Sequence, residues 1–194
     1  MKKIPVWAIV LGVVVVIALW VMGSYNGLVS GKASVDNAWG NVEVQYQRRA
    51  DVVPQLVATV KGAANFEQST LTAVTEARTN WLNTTQNASA TIGDQIAASQ
   101  TFDSAMSRLL VSVEAYPNLT ATASFQTLQA QIEGTENRIA VARKDFNDAA
   151  TTYNVKVQRF PGNIIANLFG FDVFPLFTSI EGSATAPVID FSNE

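Results

Sequence analysis

Cysteine and histidine are both absent from this 194-residue chain. Without cysteine there are no disulfides, thiolate metal sites or thiol nucleophiles. Without histidine the commonest general base and the commonest transition-metal ligand are gone. A Ser-His-Asp triad, a facial triad and a Glu-x-x-His di-iron site cannot be built from this chain. Charge is sparse: 15% of residues are Asp, Glu, Lys or Arg, the net charge is −3, and no basic run occurs. Neutralising phosphates takes clustered Lys or Arg, so no nucleic-acid partner is expected. Period-two alternation and phosphate-binding glycine loops are nearly absent as well. No catalytic residue, cofactor site or metal site can be assigned, and the chain reads as a non-enzyme.

One long apolar run is present. Residues 4–22, Ile-Pro-Val-Trp-Ala-Ile-Val-Leu-Gly-Val-Val-Val-Val-Ile-Ala-Leu-Trp-Val-Met, carry no charge. About 20 residues at ~1.5 Å rise cross a ~30 Å hydrocarbon layer. Trp7 and Trp20 sit near its ends, where indole rings favour the interface. The run exceeds the ~7–15 apolar residues of a signal peptide, so an uncleaved anchor is expected. Lys2 and Lys3 precede it, and Lys32 alone follows closely. Positive-inside reasoning then places the N-terminus in the cytoplasm and the body outside.

The rest reads as helix. Val35, Val42, Arg49 and Leu56 share one seven-residue register, and Trp39, Tyr46, Val53 and Val60 share another. Together they make one stripe. The spacing predicts a helix of about 30 residues, bent near residues 49–53 by Pro54 and ended at Gly62. A second segment carries Leu71, Val74, Arg78, Trp81, Thr85 and Ala88, then Ile92, Ile96, Ser99, Phe102, Met106, Leu109 and Val113. Its polar, β-branched middle at residues 83–91 leaves one helix or two open. Pro117 ends it. A third begins after Thr120 or Ser124 with Phe125, Leu128, Ile132, Ile139, Ala142, Phe146, Ala149, Tyr153 and Val157, and stops before Pro161. A short apolar helix capped by Asn163 and ended by Gly170 follows. The fold class is all-α: an N-terminal transmembrane helix, then an elongated antiparallel bundle of three to four long coiled-coil-like helices. The division is residues 1–24 anchor, 25–177 bundle and 178–194 tail, whose composition favours no packed core.

Several motifs resemble one family. The densest is Val35-Asp36-Asn37-Ala38-Trp39, continuing as Val42-Glu43-Val44-Gln45-Tyr46-Gln47-Arg48-Arg49 and on to Val60-Lys61-Gly62. Phe66-Glu67, Glu76-Ala77-Arg78, Glu114-Ala115-Tyr116-Pro117 and Glu136-Asn137-Arg138-Ile139-Ala140-Val141-Ala142-Arg143 follow in order. Phe146-Asn147, Tyr153-Asn154 and Phe160-Pro161 complete the series. The set resembles the LemA family of bacterial membrane-anchored helical proteins. The resemblance implies a single-pass protein of the bacterial inner membrane with a helical-bundle domain and no agreed enzymatic activity. Some relatives are associated with magnetosome membranes, which by analogy suggests membrane organisation.

Three groups of residues are candidate sites. Gly23, Gly27 and Gly31 recur every four residues beyond the membrane. They are either a smooth contact stripe between protomers or a flexible exit hinge. Arg49 lies on an apolar stripe, where an unpaired charge is costly, and Glu76, Glu114 and Glu136 are its candidate partners. That cluster is either a ligand site or a structural ion pair. Glu133 and Glu136, with Asp145 and Asp148, supply paired carboxylates on one helix and read as a solvated face. Phe160, Ile164, Phe169, Phe171, Phe174 and Phe177 form either a lid over the bundle or a docking patch for membrane or a partner. The leading expectation is a non-enzymatic scaffold, a homo-oligomer on membrane lipid. The other is a sensor or adaptor that binds a ligand or an envelope protein through the Arg49 cluster.

Overall fold

The computed structural model describes residues 5–62 and 66–178. Residues 1–4, with Lys2 and Lys3, and residues 179–194, nearly all of the expected tail, lie outside it. Among the described residues there are six helices: α1 (Val6–Lys61), α2 (Gln68–Gln86), α3 (Ile92–Val113), α4 (Pro117–Thr120), α5 (Ala123–Gln158) and α6 (Gly162–Phe169). Among the described residues there is no strand. Helix α1 packs along α5, and α2 along α3. Along α1, Tyr46 meets Trp81 and Ala50 meets Arg78 of α2, while Gly31 meets Tyr153 and Trp39 meets Phe146 of α5, so both neighbours run antiparallel to it. The result is an up-down-up-down bundle of α1, α2, α3 and α5.

The expected anchor and first bundle helix are one helix of 56 residues. Both expected stripes are buried: Val35, Trp39, Val42, Tyr46, Val53, Leu56 and Val60 are each at most 5% exposed. The apolar residues 9–17 are exposed instead, as a lipid-facing span requires. This part of α1 is long and apolar enough to cross a membrane.

Helix α1 also continues through Pro54. Proline has no N–H, so the Ala50 carbonyl four residues earlier loses its helical donor. Ala50 is fully buried, and an orphaned carbonyl there would be costly. Arg78 of α2 supplies the missing bond: its Nε donates to the Ala50 oxygen at 2.6 Å. This explains a guanidinium on the apolar stripe of α2. Arg78→Met is expected to cost about 1–3 kcal/mol by leaving that carbonyl unpaired. In a Pro54→Ala background, where residue 54 donates again, the cost should fall below 1 kcal/mol. Thermal melts of the four proteins give the coupling, and equal costs in both backgrounds would disprove this role.

The second segment is two helices. Helix α2 ends at Gln86, and α3 starts behind Thr91, whose hydroxyl accepts from the Asp94 amide while the Asp94 carboxylate accepts from the Thr91 amide. This capping box makes the break decisive. Helix α5 begins behind Thr122, between the two expected caps, with the Thr122 hydroxyl accepting from the Phe125 amide. Asn163 lies inside α6 rather than capping it. Gly170 ends α6 as expected, at φ 70°. The Phe171 amide reaches back to the Ala166 carbonyl at 2.9 Å, closing a Schellman turn. Residues 171–178 then run in extended form along the bundle.

Candidate functional site

At mid-bundle, α1 presents Tyr46 and Arg49 one turn apart, α3 presents Asp103, and α5 presents Glu136 and Arg143 one heptad apart. Arg49 is 2% exposed, so its charge must be met inside the protein. Its Nη1 donates to Asp103 Oδ1 at 2.5 Å, and its Nη2 pairs with Glu136. Arg143 pairs with the other Asp103 oxygen. The Tyr46 hydroxyl donates to Asp103 at 3.0 Å and accepts from Arg143. The two guanidinium carbons lie 5.1 and 5.4 Å from the Tyr46 ring centre, within cation–π range. Two cations and two anions cancel. The tetrad is a neutral clasp joining three helices.

Burial raises the Asp103 carboxyl above its ordinary 3.8, and the facing Arg49 charge pulls it partly back. Glu136 is also raised, first by burial, against the pull of Arg49 and with a further push from Asp103. Burial lowers Arg143 to about 10. Asp103 and Glu136 therefore hold their charge at some cost, because Arg49 faces them.

The structure brings together only Arg49 and Glu136 of the four residues expected there. Glu76 is exposed on α2, and Glu114 is exposed at the C-terminal cap of α3, so neither belongs to the clasp. Asp103, Arg143 and Tyr46 were not anticipated. Of the expected solvated face, Glu133, Asp145 and Asp148 are exposed, whereas Glu136 is half-buried against Arg49.

A second polar device holds residues 171–178. Asn154 of α5 donates to the Phe174 carbonyl at 2.8 Å and accepts from the Phe174 amide at 2.9 Å. One heptad earlier, Asn147 makes the same pair of bonds with Phe177, both at 2.9 Å. Each carboxamide thus satisfies a backbone donor and acceptor together. Phe177 stacks on Trp39 at 6.0 Å, and Phe174 meets Tyr153 edge-on at 5.2 Å. Phe174 and Phe177 therefore pack against the core of the bundle. Phe171 is half-buried, while Phe160, Ile164 and Phe169 are at least 50% exposed.

The glycines also separate. A Cβ on Gly31 would meet Tyr153 Cδ2 at 3.1 Å, so Gly31 serves the close approach of α1 and α5 within one chain. At Gly23 and Gly27 a Cβ would meet nothing within 4 Å.

The buried stripe of α1, the clasp and the two asparagines all fall inside the stretch, residues 38–191, that the model of the LemA family matches, apart from Leu28 and Val35 at the stripe's start. The chain belongs to the LemA family. This LemA-family chain is similar to magnetosome protein MamQ 2 of Paramagnetospirillum magneticum strain ATCC 700264 / AMB-1. The identity is 28% over 183 residues, covering 84% of this chain and 67% of that protein. Magnetosome protein MamQ of Magnetospirillum gryphiswaldense is 26% identical over 168 residues, covering 76% of this chain and 62% of its own length. Protein LemA of Metamycoplasma hominis is 25% identical over 145 residues, covering 75% and 64%. LemA membership and the MamQ relatives fit a membrane-associated protein, as does the apolar start of α1.

Proposed function

We propose that this protein is a non-enzymatic scaffold, anchored by an uncleaved span in the bacterial inner membrane, that assembles with copies of itself and organises the membrane. The N-terminus is cytoplasmic and the bundle lies outside. The observation that carries this reading is the continuity of α1 from the apolar span into the bundle core. At 1.5 Å per residue its 56 residues make a rod of roughly 84 Å with no linker between anchor and bundle. Such a rod fixes the bundle relative to its anchor, which suits side-by-side assembly. Tethering to one surface raises the effective concentration of neighbours. The MamQ relatives are magnetosome proteins by name, which is consistent with work on a membrane. A ligand sensor would need Arg49 turned toward a binding recess. Its guanidinium is instead engaged by Asp103 and Glu136 of the same chain.

The test is the particle size of the full-length protein in mild detergent, by cryo-electron microscopy. A discrete multi-subunit particle with clustered anchors is expected, and a monodisperse monomer would overturn the proposal. Gly23 offers a finer check, since its Cβ position is open within the protomer. Gly23→Leu should leave the helical signal intact and shift the particle to smaller species. Unchanged size would remove Gly23 from the contact.

A further inference from the structure

Helix α6 exposes apolar side chains just where α1 leaves its apolar span. Ile164 (53% exposed) and Leu168 (72%) stand one turn apart on α6, with Phe169 (50%) at its end, and Phe160 (74%) is exposed in the turn just before it. The opposite face of α6 is buried through Ile165 and Ala166. Tyr25 of α1 packs edge-on against Phe169 at 4.9 Å and Phe171 at 5.7 Å, fixing α6 to the first turns beyond the span. A water-facing helix would carry its apolar residues inward, whereas this one carries them on both faces.

Beside α6 lies a notch of about 260 Å³, lined by Trp20, Ser24 and Gly27 of α1 and by Lys156, Arg159 and Gly162 at the end of α5 and the start of α6. It begins at the tryptophan that closes the span, so it sits at headgroup depth. Its charged lining residues are both basic, and neither Asp36 nor Asp172 lines it. Gly27 leaves the space open, because a Cβ there would meet nothing within 4 Å.

We infer that α6 is an interfacial helix, its Ile164–Leu168 face immersed together with Phe160 of the preceding turn in the bilayer around the anchor, and that Lys156 and Arg159 hold the phosphate of an anionic phospholipid in the adjoining notch. The inference rests on the membrane-anchored reading above. Continuity with the span selects lipid as the occupant of the apolar face, and the two basic groups select an anionic headgroup. A protein partner would leave the same face water-accessible in a protein-free bilayer.

The absence of native cysteine allows single nitroxide labels on the full-length protein. Leu168→Cys, Val14→Cys in the span and Val141→Cys on the exposed side of α5 are placed in vesicles of equal parts phosphatidylcholine and phosphatidylglycerol. Accessibility to oxygen and to a water-soluble nickel chelate gives the depth of each label. The Leu168 label is expected to be immersed, like Val14 and unlike Val141. A Leu168 label as water-accessible as Val141, with Val14 immersed, would overturn the interfacial helix and leave the anchor standing. A water-accessible Val14 label would overturn the anchor itself.

Phosphatidylglycerol retained in detergent is then counted by native mass spectrometry. The Lys156→Gln/Arg159→Gln pair is expected to weaken its retention on the order of thirty-fold, about fivefold for each basic group. Retention equal to the parent chain would overturn the phosphate site.

Discussion

Arg49→Met should destabilise the full-length protein by about 3–5 kcal/mol, the usual result of removing one partner from a buried ion pair. For a chain of this size that lowers the thermal midpoint by roughly 10 °C. The substitution conserves most of the volume, so the loss comes from the charges left behind. Asp103 and Glu136 would face each other across the vacated site with only Arg143 to meet them. The effect has a definite pH sign. Both carboxyls are already raised by burial, and Arg49 is what holds them down. A carboxyl with a raised folded-state value stabilises the fold when protonated, and that contribution is lost as pH rises through the raised value. Taking Arg49 away raises both further. The deficit of Arg49→Met is therefore largest near pH 7 and shrinks at acidic pH, below the raised values, where both groups are protonated. Adding Asp103→Asn and Glu136→Gln should recover most of the loss at neutral pH. Circular dichroism melts in detergent at the two pH values check both points, and a pH-independent deficit would contradict the clasp.

The second large effect concerns the extended segment at residues 171–178. Asn147→Ala with Asn154→Ala removes four hydrogen bonds to the backbone of Phe174 and Phe177. At roughly 0.5–1.5 kcal/mol each, about 4 kcal/mol of holding energy is lost. The bundle should stay folded while the segment detaches, because the bonds lie on its surface side. Hydrogen exchange at the Phe174 and Phe177 amides reads this directly. Protection in the parent chain and rapid exchange in the double variant are expected. Unchanged protection would show that the aromatic contacts of Phe177 with Trp39 and Phe146 suffice alone.

Periodicity alone made the bundle legible, since every apolar position of the two stripes in α1 is buried. It could not show which charges meet. Asp103 lies 54 residues from Arg49 along the chain, and their pairing depends on how α3 slides against α1. Membership of a motif was a poor substitute for facing direction. Glu76 adjoins the buried Ala77 and Glu114 the buried Val113, yet each points to solvent. The one overlooked signal was in plain view. Phe146-Asn147 and Tyr153-Asn154 repeat an aromatic and an asparagine seven residues apart. The aromatic enters the core, and its neighbour lies at its edge, where the carboxamide meets the backbone of the covering segment. The glycines every four residues left a contact stripe or a hinge open at the exit from the anchor, and α1 runs through them unbroken. Tyr153 closing on Gly31 helps hold that stretch helical.

A helix without a joint is a lever. From Gly23 to Lys61 the arm is roughly 57 Å at 1.5 Å per residue. Membrane spans tilt to match the thickness of their bilayer, by about 20° on average. A change of 10° in that tilt would sweep the far end of this arm by roughly 10 Å. On the membrane-anchored reading proposed above, bilayer thickness would set the direction in which the bundle points.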